Sequence, residues 1–105
     1  MGKKSDIQEL VNLMAKALRH HIGSQVNKNE FYAAKYAKDA EIIMKEAETV
    51  GMRQNWNRED KEKIRKRLKT KLRKELEEKE FLDDRKFEIM DEEIAKALKS
   101  FSLGY

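Results

Sequence analysis

The sequence predicts an all-α fold of about four helices, an antiparallel helical bundle or array with a long basic third helix, and three observations carry that expectation. Proline is absent from the 105 residues and glycine occurs four times, so few breakers interrupt a chain rich in Lys, Glu, Ala and Leu, which favour helix. Apolar residues recur at spacings of three and four, the period of a helix that buries one face. Residues able to cap a helix stand ahead of these stripes.

The first helix is expected over residues 6–22. Ser5, Asp6, Ile7 and Gln8 fit a capping box, in which the Ser5 hydroxyl and the Gln8 side chain each satisfy a backbone N–H. Ile7, Leu10, Val11, Met14, Ala17, Leu18 and Ile22 form its stripe, and Gly23 is the natural stop. Asn27 with Glu30, or Asn29 alone, caps a second helix over residues 30–50. Its apolar line is Phe31, Ala34, Ala37, Ala40, Ile43, Met44, Ala47 and Val50, with Tyr32 and Tyr36 beside it and Gly51 at its end. The alanines let another helix approach closely, which suits an antiparallel hairpin with the first.

Asn57, with Asp60 three residues on, starts a third helix over residues 58–80, and Trp56 packs back on its first turn or covers the helix junction. Ile64, Leu68, Leu72 and Leu76 are its only aliphatic line. Asp83 or Asp84 caps a fourth helix over residues 84–101 with Phe87, Met90, Ile94, Ala97, Leu98 and Phe101 as its stripe; residues 91–93 are an alternative second start.

Charged residues make up 42% of the chain and apolar ones 39%, so the core must be assembled from narrow stripes, in a molecule that is thin, elongated or oligomeric. Halves of a 105-residue chain are too small to bury cores of their own, which makes residues 1–105 one domain. The absence of cysteine excludes disulfides and thiolate metal sites and fits a reducing cytosol. No stretch reads as a signal peptide or approaches the roughly 18 apolar residues of a membrane span, so a soluble cytoplasmic protein with no membrane partner is expected.

The residues offer little for catalysis. His20 and His21 are adjacent and point about 100° apart on a helix, too divergent to clasp one metal, and a third ligand such as Glu30 must come from elsewhere. One ring packed and one solvated is the ordinary alternative. Glu75, Glu77, Glu78 and Glu80 read as a solvated surface, and no phosphate loop, nucleophile elbow or metal-protease motif is present. The expectation is therefore a protein that is no enzyme, takes no cofactor or metal, and works by binding a protein partner or a second copy of itself.

Residues 63–74 suggest nucleic acid as the other partner. Eight of these twelve are basic and none is acidic, a block able to neutralise phosphates, and Arg65, Lys66, Lys69 and Arg73 fall on neighbouring parts of one helix surface. Acidic runs flank the block, the whole chain is only +4, and pairs such as Lys71 with Glu75 and Lys74 with Glu78 offset part of it, so a solvated amphipathic helix accounts for it slightly better than phosphate binding does. Tyr32, Tyr36 and Trp56 either stack on bases or belong to the core. The same basic helix could also lie on a lipid surface through its four aliphatic residues, unless these are buried inside the protein.

Ala17-Leu18-Arg19-His20-His21-Ile22, then Asn29-Glu30-Phe31-Tyr32 and Ile42-Ile43-Met44, resemble the helical region near the C-terminus of type I restriction enzyme motor subunits. Asn55-Trp56-Asn57-Arg58-Glu59, with Ile64-Arg65 and a Leu-rich basic helix ending near Phe81-Leu82, is similar to the Trp-led helix that closes that region. Together the segments span about two-thirds of the chain. The chain departs from the pattern in having Asn29-Glu30 where an Asp-Pro pair is common, and in lacking a Gly-Pro turn after the basic helix. The resemblance implies a helical module that docks a motor subunit on its methyltransferase partner, with cleavage and ATP hydrolysis belonging to other domains.

Overall fold

The computed structural model describes residues 2–26, 29–79 and 85–101, and these form four helices and no strand: α1 (Lys3–Val26), α2 (Glu30–Gly51), α3 (Arg58–Glu77) and α4 (Arg85–Ser100). α1 packs against all three others, α3 and α4 pack against each other, and α2 packs on α1 alone. At about 1.5 Å per residue, the 24 residues of α1 span most of the 40 Å long axis of a molecule 22 × 21 Å across. The directions alternate: Gly23 meets Tyr36 and Asp6 meets Arg53 across α1 and the α2 end, Lys3 meets Asp60 where α3 starts beside the start of α1, and Lys86 returns to Lys79 where α4 reverses.

α1 begins at Lys3 rather than Asp6, and Ser5 does not cap it. Tertiary contacts hold this first turn instead. Lys3 Nζ lies 2.9 Å from Asp60 Oδ2, and the Asp6 carboxylate accepts from Gln54 Nε2 at 2.7 Å and from Arg53 at 3.4 Å. At the other end α1 runs past Gly23 to Val26, because continuing the helix buries Val26 at 4% exposure. Gly23 serves close approach: a Cβ there would lie 3.3 Å from Tyr36 Cδ2.

Asn29 caps α2, its side chain accepting from the backbone N–H of Phe31 and Tyr32; position 27 lies outside the described residues. The face α2 turns to α1 follows the expected line from Ala40 to Val50 but departs from it over the first two turns. Ala40, Ala47 and Val50 are buried and Tyr36, Ile43 and Met44 half-buried, while Phe31, Ala34 and Ala37 are exposed.

The Asn57–Asp60 capping box forms in both directions: Asp60 N–H donates to Asn57 Oδ1 at 2.8 Å and Asn57 N–H to Asp60 Oδ2 at 3.1 Å. Trp56 covers the junction, its indole N–H donating to the Gly51 carbonyl at 2.9 Å. Ile64, Leu68, Leu72 and Leu76 are all fully buried. A spacing of four drifts by about 40° per step, and α3 can follow that drift because it has α1 and α4 to pack on. With that line inside the core, α3 keeps no aliphatic ridge for a lipid surface, and among the described residues no helix is long and apolar enough to cross a membrane.

α3 ends at Glu77, three residues before the expected position, with Glu78 as C-cap. Lys86 is buried at 3% exposure and donates to the Lys79 carbonyl at 2.7 Å, its ammonium 5.0 Å from the Phe87 ring centroid. A cation there suits the negative end of α3. α4 is continuous from Arg85, so residues 91–93 start no separate helix; the expected caps at positions 83 and 84 lie outside the described residues. Met90, Ile94, Ala97 and Leu98 join the same core as the α1 and α3 stripes, with Phe87 and Phe101 at its edge.

Candidate functional site

Because α2 and α4 each pack on α1 but not on each other, a groove of about 410 Å³ runs between them. Ala17, Leu18 and His21 of α1 form its floor. Ala37, Ala40 and Met44 make the α2 wall, Ala97 and Phe101 the opposite one, with Glu41, Lys45, Glu48 and Lys96 at its edges. The small side chains that the sequence placed against α1 thus also keep this groove open. It narrows where Phe101 approaches Gly51, at which a Cβ would stand 3.2 Å from Phe101 Cδ2.

Glu93 is the one buried acid in the groove, and it is fully engaged. Its Oε2 lies 3.2 Å from His21 Nε2, and its Oε1 accepts from Gln25 Nε2 at 3.4 Å and from Lys96 Nζ at 3.5 Å. Glu93, and then Glu92, raise the Lys96 pKa above its ordinary value. Gln25 Nε2 also stands 2.9 Å from His21 Nε2. A carboxylate held this way orients the His21, Gln25 and Lys96 side chains around it.

The two histidines part as their positions on the helix require. His20 is half-buried beside Tyr36, ring centroids 5.7 Å apart, and its buried Nδ1 has no hydrogen-bond partner. Burial first, and the neighbouring Arg19 second, lower its pKa, so the ring favours the neutral form. Glu30 joins neither ring in a ligand set: among the described residues no three His, Asp or Glu side chains converge closely enough to hold a metal ion.

On α3 the structure divides the basic block. Lys69 Nζ lies 3.6 Å from Asp91 on α4, and Arg73 Nε lies 3.4 Å from Glu77. Arg65 is exposed, and Lys66 turns toward α1 instead. All four residues singled out from sequence are exposed along α3, with Lys69 and Arg73 engaged in ion pairs and Lys66 in a separate notch. Lys66 instead joins Arg67, Lys71 and Lys74 around a shallow notch of about 430 Å³ between α3 and α1, lined also by Thr70, Gln8 and Val11. The sequence reading assigned Lys71 and Lys74 to pairs with Glu75 and Glu78; Glu75 pairs across to Arg19 at 3.6 Å. The signal was available: Lys66 and Arg67 follow buried Ile64 by two and three places, Lys71 follows Leu68 by three and Lys74 follows Leu72 by two, which puts them along one flank of the buried line.

Comparison settles no family. No protein-family model, curated protein or solved structure matches this chain.

Proposed function

We propose that this chain is a non-catalytic helical interaction module that receives an amphipathic helix of a partner protein along α2, in the groove between α2 and α4. One observation carries the reading. α2 packs on α1 alone, and the groove along it is lined mostly by apolar side chains, Ala17, Leu18, Ala37, Ala40, Met44, Ala97 and Phe101, whereas the exposed Phe31, Tyr32, Ile42 and Met52 lie outside it. Apolar surface concentrated in one groove gains by being covered.

A helix laid in the groove would give α2 a second neighbour and cover Ala37, Met44 and Phe101, the helix-in-groove mode of recognition. Glu41, Lys45, Glu48 and Lys96 supply the polar rim such an interface needs.

The resemblance to type I restriction motor subunits supports a narrower form, docking of a motor subunit on its methyltransferase partner. Its matching segments contribute Ala17, Leu18, His21 and Met44 to the groove and Phe31, Tyr32 and Ile42 to the exposed apolar set. Fold analogy alone does not transfer a function, so the groove carries the argument.

The test is affinity capture from nuclease-treated native extract with two variants. Ala37→Trp fills the groove from an exposed position, and Lys38→Trp puts the same side chain at an exposed α2 position outside it. The reading expects Ala37→Trp to lose a partner that the unmodified chain and Lys38→Trp retain. Equal capture by both variants would count against it, and sedimentation of the purified chain shows whether the partner is a second copy.

A further inference from the structure

The notch between α1 and α3 collects positive charge that the fold does not use. Lys66, Arg67, Lys71 and Lys74 line it, no carboxylate does, and none of the four makes an ion pair within 4 Å among the described residues. Of the acids one helical turn away, Glu75 pairs with Arg19, while Glu62 and Glu78 stand beyond the two ends of the patch and pair with none of the four within 4 Å. Glu78, one turn beyond Lys74, ends the patch. Four like charges held together without counter-charges repel one another and contribute nothing to the core below them.

We propose that this notch binds the phosphodiester backbone of nucleic acid without reading its sequence. From Lys66 to Lys74 the helix rises about 12 Å, longer than one phosphate and suited to several along a strand, whose charges in DNA recur every ~3.4 Å of axis. Thr70 and Gln8 in its lining bring neutral donors of the kind that position phosphate oxygens, the Gln8 amide using one of its two N–H groups on Asn12. No aromatic side chain lines the notch, so bases find no stacking platform there. The buried line of α3 is packed into the core, so the flank beside α1 meets the ligand as a fixed charged surface. This surface is separate from the α2–α4 groove, to which α3 contributes no residue.

The experiment is fluorescence anisotropy of the full chain with labelled probes: a duplex DNA of about 20 base pairs and a mixed single-stranded RNA of about 20 nucleotides, from ~20 to ~200 mM salt. For duplex DNA, four phosphate contacts predict a slope of log K on log salt of about −3.6. Lys66→Gln, Arg67→Gln, Lys71→Gln and Lys74→Gln combined should weaken binding at least ~10-fold at low salt and flatten the slope. A control losing the same charge elsewhere, Lys16→Gln, Lys35→Gln, Lys38→Gln and Lys99→Gln, should change it less than ~3-fold. Circular dichroism checks that both variants remain helical. The better of the two probes identifies the source of the backbone. Absence of binding at low salt, equal loss in both variants, or a poly-glutamate peptide bound as tightly as either nucleic acid would overturn the proposal, the last assigning the notch to acidic protein surfaces.

Discussion

Gly23 lies against the Tyr36 ring, close enough that a Cβ at position 23 would stand 3.3 Å from Tyr36 Cδ2. The contact sets how near α2 comes to α1, and it separates two roles for this glycine. At a helix stop in the left-handed region, Gly23→Ala would cost about 1 kcal/mol. Inside a helix the same change gains up to ~1 kcal/mol in propensity, here offset by a small shift of a half-buried ring. We expect Gly23→Ala within about 0.5 kcal/mol of the parent and Gly23→Val destabilised by roughly 1–3 kcal/mol through overpacking, as read by urea denaturation.

Leu72 is fully buried in the line that joins α3 to α1 and α4. Leu72→Ala should cost about 2–5 kcal/mol. Thr70→Ala, two residues away on the exposed face, should change stability by less than ~0.5 kcal/mol. Chemical denaturation of the two variants side by side checks the contrast.

Stability should fall with acid in two stages. His20 has its pKa lowered on folding, so below pH about 6.5 the unfolded chain takes up the proton first and stability begins to decline. The Asp60 carboxyl is held below its ordinary value by the Lys3 ammonium and then the Asn57 N–H, and Asp6 by the Gln54 amide and then Arg53. Their contributions are present above pH about 4 and are lost as the pH falls through the lowered values. Thermal melts from pH 8 to 3 should show both declines, and His20→Gln should remove the upper one while leaving the lower.

Trp56 ties the α2–α3 connection to the end of α2 through the bond to Gly51. Trp56→Phe keeps a ring and removes the donor, and should cost about 0.5–1.5 kcal/mol in a denaturation curve.

Most local signals were legible in the sequence, the Ser5–Gln8 box being the exception because α1 already starts at Lys3. The Asn57–Asp60 box, the α3 aliphatic line and the α4 stripe all lie within single helices, where spacing alone places a side chain. What was not legible depended on a second element. A glycine that stops a helix and one that admits Tyr36 look alike until the neighbour is known. α2 carries two nearly parallel small apolar lines, and periodicity does not say whether Phe31 or Tyr36 leads the buried one. The division of the basic block follows from partners on other helices, Asp91 for Lys69 and Arg19 for Glu75, so sequence spacing named Lys66 but not Arg67, Lys71 and Lys74 as its companions.

The central claim is that a partner helix lies between α2 and α4. Hydrogen exchange on the chain alone and in its captured complex tests it most directly, because exchange slows where a surface is covered and ordered. Slower exchange across residues 37–48 and 93–101, with residues 63–74 unchanged, is the result predicted. Protection confined to residues 63–74, or absent from both α2 and α4, would contradict it.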